Sequence, residues 1–482
     1  MSSDHVHIQL DVNAGESPRQ PRERISGAPH RILVMGEFSG TRARGATLGT
    51  RRPVRVDRDS IDDAIASFRP SVTVPLSSGR QVATDFSSLE EFHPDALYTR
   101  LPVFRELRSA AVNANATVRL SSPTPLGGVL DAILADTPMP PPGVSLGAIG
   151  GAASNEAADS LDEFVRRAVS PHLVAAPSAA ERTVAVQGDA VVAAALREVI
   201  HHPDYRRIER LWRGVDFLTR RLDTDSELQV WMLDVSAADL VEAPADQTLG
   251  AQLIQTLIMA SGGDSASSGW SVVVFPHEFD DTPEDLRLLE LLGRVSARLG
   301  ATLLAGASPR LLGADTSSAL PEPDTWRESS MLWANLRHSD VARYIGLTAP
   351  RLLARLPYGA EADPCEVVRF EEIASDEVEL CWLSGSFGAA LLAADALQRN
   401  DSFANHARDI EDLPQHLSRH DGEFVSTPCA EVLLFERSIE AILDRGIMPL
   451  VSKKDDDVVR LARLQSIAAP LAPLAPWGSR DA

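Results

Sequence analysis

The sequence predicts an α/β fold: a mixed, largely parallel sheet flanked by helices in the C-terminal part, preceded by a smaller α+β N-terminal domain. Three observations carry this. Residues 270–275 are a predominantly apolar run of the length of a buried strand. After them Thr282, Pro283, Glu284 and Asp285 open a helix that Gly300 closes, and residues 301–305 are again strand-like. Cap, first-turn proline, first-turn acids and terminal glycine all agree on that helix, and strand–helix–strand is a βαβ unit that implies a parallel pair. Finally, strand and helix patterns keep alternating to residue 451, with strands expected at 377–383, 431–435 and 447–451 and helices at 389–397 and up to 445.

In chain order, residues 5–13 alternate strictly, with Val6, Ile8, Leu10 and Val12 on one face and His5, His7, Gln9 and Asp11 on the other. This is a half-buried strand, and its pattern fits an internal edge and a strand donated to a neighbour equally well. A second strand at 31–35 ends in Gly36-Glu37-Phe38-Ser39-Gly40. Gly36, Gly40 and Gly45 lack dinucleotide spacing and no GK[ST] follows, so nucleotide binding is not expected. Ser60 is placed to cap a helix, and Phe86, Leu89, Phe92, Leu97, Leu101, Phe104 and Leu107 form a helical stripe broken by Pro94 and Pro102. The composition then shifts to Ala, Pro, Gly and Ser, which places a flexible linker at 138–158 between domains at 1–137 and 159–467, with a disordered tail at 468–482.

Past the linker, residues 201–222 form an amphipathic helix with Pro203 at its start and Tyr205, Ile208, Leu211, Trp212, Val215, Leu218 and Leu222 on one face. Gly214 costs this helix about 1 kcal/mol relative to Ala, so a close packing partner is expected there. A strand at 228–235 and a helix at 247–260 follow. Between 333 and 372, Ser339 is expected to cap a helix carrying Val341, Ala342 and Ile345, which Gly346 ends. A second helix is expected from Thr348 through Leu352, Leu353 and Leu356 to Pro357-Tyr358-Gly359, then a strand at 366–370. Arg343, Arg351 and Arg355 remain, with Glu371 and Glu372 as partners for structural ion pairs.

With 482 residues, 44% hydrophobic, the chain can bury the cores of two or three domains. A net charge of -22 argues against nucleic acid and anionic membrane surfaces as partners. Cys365, Cys381 and Cys429 are few and far apart, signalling neither a disulfide framework nor a zinc site. No apolar run has spanning length, so no membrane insertion and a cytoplasmic location are expected.

His277, Glu278, Asp280, Asp281, Glu284 and Asp285 stand where a strand hands over to a helix, a position that suits a Mg²⁺-dependent enzyme, although helix capping accounts for most of them. His416 and His420 are four apart but lack a third ligand. Ser384-Gly385-Ser386-Phe387-Gly388 lacks the register of a nucleophile elbow. No catalytic residue, cofactor or metal is assigned, and the chain is not expected to be an enzyme.

The ordered string Ser339-Asp340, Ala342-Arg343-Tyr344, Gly346-Leu347, Pro350-Arg351, Arg355-Leu356-Pro357-Tyr358-Gly359 and Glu371-Glu372 resembles the large subunit of the type VI secretion contractile sheath. The helix containing Trp212-Arg213-Gly214, and Glu431, Arg437 and residues 446–450, resemble other parts of that subunit. Residues 36–40, 56–59 and 85–108 resemble the sheath's small subunit, and the resemblance implies two subunits joined in one chain, with the second expected to end earlier than its family does. The resemblance implies a structural protein that polymerises around an inner tube and contracts to propel it. Implied partners are other sheath subunits, self or paralogues, the inner tube protein, baseplate components and an AAA+ unfoldase. A paralogue that caps, nucleates or scaffolds without polymerising is the alternative, and the 5–13 strand is the candidate interlocking element.

Overall fold

The computed structural model describes residues 29–40, 50–121, 179–241, 248–260, 269–373, 380–399, 408–420 and 423–475. The residue 5–13 strand, with Val6, Ile8, Leu10 and Val12, and the 138–158 linker lie outside them. Contacts divide the chain into two units, residues 1–101 with 195–482, and residues 102–194.

The first unit opens with β1 (His30–Gly36), β2 (Val54–Val56), α1 (Ile61–Phe68), β3 (Ser71–Pro75), β4 (Gln81–Asp85) and α2 (Pro94–Arg100). The second unit contains α3 (Pro102–Ser121) and the start of α4 (Ala179–Ile200), with an Arg108–Asp189 ion pair at 2.8 Å. The first unit resumes with α5 (Pro203–Arg221), β5 (Leu228–Asp234), α6 (Ala237–Val241), α7 (Thr248–Ala260), β6 (Val272–Phe279), α8 (Pro283–Leu299), β7 (Thr302–Ala307) and α9 (Met331–Arg337). It ends with β8 (Ile345–Ala349), β9 (Leu352–Leu353), β10 (Trp382–Leu383), α10 (Gly385–Gln398), β11 (Asp409–Ile410), β12 (His416–His420), β13 (Glu423–Thr427), α11 (Glu436–Asp444), β14 (Met448–Ser452) and β15 (Val459–Leu461).

Nine strands form one sheet in the order β11-β15-β14-β8-β7-β6-β1-β5-β2. From β14 to β5 all neighbours are parallel, and the antiparallel strands β15, β11 and β2 finish the two sides. This is the mixed, largely parallel α/β sheet expected, with the smaller α+β region formed by α1, α2 and the β3–β4 hairpin. β1 lies between β6 and β5, so a strand from the first forty residues is in the interior of a sheet whose other parallel strands come from beyond residue 227. Its position follows from its sequence: Ile32, Leu33, Val34 and Met35 are all fully buried, as a strand covered on both faces requires.

Helix α10 crosses one face of the sheet over β1, β6, β7 and β8 and also meets α5. Its buried residues are mostly small, including Gly385, Gly388, Ala389, Ala390, Ala393 and Ala394, which lets the helix lie close to the strands. α8 packs on β6 and β7 and against α7 and α9. Thr282 caps α8 by accepting from the Asp285 N–H at 3.2 Å, and Gly300 closes it at φ 66°.

Several local expectations are corrected. Residues 339–346 are not a helix: α9 ends at Arg337, a single 3₁₀ turn covers residues 342–344, and β8 begins at Ile345. Local capping signals lose here to burial, since all five residues of β8 sit inside the parallel sheet. The second helix, from Thr348, is also absent. Pro350 follows β8, and Leu352 and Leu353 pair with Leu383 and Trp382. Residues 366–370 are not a strand, because the N–H groups of Glu366, Val367 and Val368 are taken by the Asp95 carboxylate at 2.7–3.1 Å. Residues 431–435 are irregular, with the Glu431 N–H donating to the Arg351 carbonyl.

Of the strand expected at 377–383, residues 380–383 are described, and only Trp382–Leu383, β10, are strand. Ser60 does not cap α1 with its side chain; its hydroxyl turns to Asp57 at 2.6 Å. Of the tail expected at 468–482, residues 468–475 are described: Leu474 is buried and the Ala475 N–H donates to the Arg343 carbonyl at 2.7 Å. His416 and His420 are on strand β12, where four residues span about 13 Å, too far to share an ion.

Candidate functional site

Helix α5 organises a dense buried cluster of ion pairs and hydrogen bonds. Its sequence starts with His202 as cap and Pro203 in the first turn, and its apolar stripe is interrupted by one acid, Glu209, one turn after Tyr205. On one side the stripe meets the N-terminal residues. The Trp212 indole donates to the Phe38 carbonyl at 3.3 Å and packs edge-on against Phe38 and Phe68, with centroids at 5.1 and 5.8 Å. The Tyr205 hydroxyl donates to the Phe92 carbonyl at 2.6 Å, beside the stacked Phe86–Phe92 pair. Gly214 faces the Phe387 ring of α10, which a Cβ would meet at 2.2 Å.

On the other side Glu209 meets the segment after β9. Arg355 donates to Glu209 through Nε at 2.6 Å and Nη2 at 3.3 Å, and to Glu372 through Nη1 at 2.6 Å and Nη2 at 3.1 Å. Arg213 adds a bond to Glu209 at 2.8 Å and one to the Tyr358 hydroxyl at 2.9 Å. The Tyr358 N–H donates to Glu372 at 2.9 Å, and its ring lies 3.9 Å from the Arg355 guanidinium. Glu209, Arg355 and Glu372 are 0%, 6% and 2% exposed, so these charges have left water together. Two carboxylates and two guanidiniums balance, and a planar fork bonded on both sides is the geometry that only Arg supplies.

The electrostatics follow. Burial alone would raise the Glu372 carboxyl, but Arg355 first, then the His201 contact, pull it down to about 2. Burial is likewise overcome at Glu209, where Arg355 and Arg213 hold the carboxyl below its ordinary value. Burial pushes the Cys381 thiol, 3.8 Å from Glu209, up to about 11, so it stays protonated. The cluster therefore holds its charges fixed and offers no activated nucleophile.

The expected pairing of Arg343, Arg351 and Arg355 with Glu371 and Glu372 is realised for Arg355 with Glu372. Arg351 pairs instead with Glu431, at 2.5 and 2.8 Å. Arg343 is exposed on the 3₁₀ turn and Tyr344 is half-buried beside it. Glu371 is exposed, with its Oε1 accepting from the Ala360 N–H, while Pro350, Pro357 and Gly359 are buried around the turn. Sequence reasoning missed Glu209, whose signal was an acid on the apolar face of α5.

The acidic loop after β6 is occupied by the fold. Asp285 accepts from His277 at 3.2 Å and from the Asp280 N–H at 2.7 Å, and Asp281 accepts from the Ser330 hydroxyl at 2.5 Å. Asp280 faces Arg310 at 3.3 Å. Glu278 is half-buried with its carboxylate against Gly306, its buried Oε1 unbonded and its carboxyl raised by desolvation. Ser384 caps α10, so the 384–388 stretch is a strand-to-helix turn. Among the described residues no helix is long and apolar enough to cross a membrane.

Two family models match. One described as EvpB/VC_A0108, tail sheath N-terminal domain (VipB), matches residues 182–468. The other, described as type VI secretion system, VipA, VC_A0107 or Hcp2, matches residues 1–136. The type VI secretion system sheath protein TssC1 of Pseudomonas aeruginosa is 29% identical over 311 residues, 58% of this chain and 60% of that protein. The chain thus spans about 60% of the length of this curated relative.

Proposed function

Because this chain belongs to the type VI secretion sheath family, whose large-subunit model covers more than half of it, we propose that it is a fused sheath subunit that assembles around an inner tube and contracts to propel it. The observation that carries this reading is the shared sheet. β1, from the segment matching the small-subunit model, is paired on both sides by strands of the segment matching the large-subunit model. Joining the two in one chain fixes their stoichiometry and leaves both in one rigid element.

On this reading the segment boundaries are 1–137 and 159–467, joined through 138–158. The work is mechanical, with no catalysis by this chain, and it takes place in the cytoplasm. The partners are sheath subunits, the inner tube protein, baseplate components and an AAA+ unfoldase that recycles the contracted form. Val6, Ile8, Leu10 and Val12 are the proposed interlocking face, adding a strand to a neighbour. A heterologous contact of this kind propagates instead of closing, as a helical array requires. Trp212, Arg213, Gly214, Arg355 and Tyr358 keep each subunit intact while those contacts rearrange. Large apolar side chains left in water, Met331 at 75% and Phe435 at 64% exposure, are further candidates for subunit contact.

Electron microscopy of the purified chain, alone and mixed with its neighbouring sheath and tube proteins, tests the reading. Regular hollow tubes that disappear on deletion of residues 2–13 are expected. Discrete particles that only decorate the ends of tubes made by others would replace it with a capping role.

A further inference from the structure

We propose that His93, Asp95 and Cys365 form a zinc site that clasps the N-terminal segment to the segment after β9. One ligand atom from each lies within 4.8 Å of the others, and this is the one such group of three among the described residues. The set is imidazole nitrogen, carboxylate oxygen and thiol sulfur, the mixture that suits Zn²⁺ and not a hard cation such as Mg²⁺. Zinc bond lengths of about 2.0–2.3 Å require the three atoms to draw in by roughly 1 Å, with water as the fourth ligand. All three residues are half-buried, so an ion can reach them.

Two features prepare the site. The His93 Nδ1 accepts from the Asp95 N–H at 3.2 Å, so Nδ1 carries a free pair and Nε2 carries the proton. Nε2 stands 4.0 Å from the Asp363 carboxylate, outside hydrogen-bond range but near enough to become the outer partner of a metal-bound imidazole after a small shift, while Nδ1 stands 3.9 Å from Asp95 Oδ2. The ion would take the Nδ1 pair from the Asp95 N–H, a competition that limits affinity.

Asp95 itself is held in place by the N–H groups of Glu366, Val367 and Val368. Its Oδ2 accepts only from Glu366 among these three, which leaves that oxygen a further pair for a ligand bond. The same three bonds already join the segments matched by the two family models, and zinc would turn that polar contact into a cross-link. This inference does not depend on whether the chain polymerises.

The test uses the full chain without an affinity tag, stripped with chelator and titrated with Co²⁺ as a spectroscopic probe. One equivalent should produce a thiolate-to-cobalt charge-transfer band that Zn²⁺ removes. Cys365→Ser should abolish the band with circular dichroism unchanged, and Asp363→Asn should weaken Co²⁺ binding about tenfold. Zn²⁺ should raise the thermal midpoint of the parent chain and leave that of Cys365→Ser unmoved. Absence of the band, or a band that survives Cys365→Ser and so belongs to Cys381 or Cys429, overturns the site.

Discussion

Two acidic regions of this chain have opposite fates. The loop after β6 concentrates acids next to one another in sequence, and Asp285 is taken up by the helix start, Asp280 by an ion pair with Arg310 and Asp281 by Ser330. Glu209 and Glu372 are 163 positions apart in numbering, yet they converge on Arg355, which donates four hydrogen bonds to the two carboxylates. The contrast teaches that local density of charge marks a helix start, whereas a single acid on an apolar helix face marks a long-range contact.

The largest effect that separates the two regions should come from Arg355→Met. It leaves Glu209 and Glu372 buried without their shared cation, and the expected loss is about 3–5 kcal/mol in urea denaturation. Asp281→Ala, which removes two bonds from Ser330, one from its hydroxyl and one from its N–H, should cost about 1–2 kcal/mol. If the two losses are equal, the distinction between the regions fails.

Acid separates them next. Glu372 has its folded value at about 2, below the ordinary carboxyl value, so its contribution is complete above the unfolded value and is lost as pH falls from about 4.5 toward 2. That contribution is on the order of 3 kcal/mol, and Glu372→Gln should flatten this part of the pH–stability curve. Glu278 carries the opposite sign. Burial raises its carboxyl, so the folded state prefers the proton, and stability is lost as pH rises through its folded value. Glu278→Gln should therefore stabilise the chain at neutral pH, read as a higher denaturation midpoint in urea with an unchanged slope.

A packing test sharpens the account of α5. Gly214→Ala drives a methyl into the Phe387 ring and should cost about 1–3 kcal/mol despite the better helix propensity of Ala. Phe387→Leu should recover part of that loss in the double variant, which a strain located elsewhere would not allow.

What was legible in the sequence follows the same division. The βαβ unit of β6, α8 and β7 could be read because Thr282, Pro283 and Gly300 state its limits locally. The amphipathic face of α5 was equally plain. The path from residue 339 to 372 was misread, because Ser339, Gly346 and Pro350 carry helix punctuation while the sheet, through β14 and β7, dictates a strand. Arg355 and Glu372 were visible only among three arginines and two glutamates expected to pair, and Glu209 depends on how α5 is placed against the turn after β9, which no local pattern specifies. Nor did any run of residues announce that β1 would lie between β6 and β5.

Hydrogen exchange on the native chain tests the central claim, that segments matching two sheath families fold as one cooperative sheet. The β1 amides of residues 32–35 should open with the same free energy and the same denaturant dependence as those of β5 and β6. Exchange of β1 through a separate, lower-energy opening while β5 and β6 stay protected would contradict it.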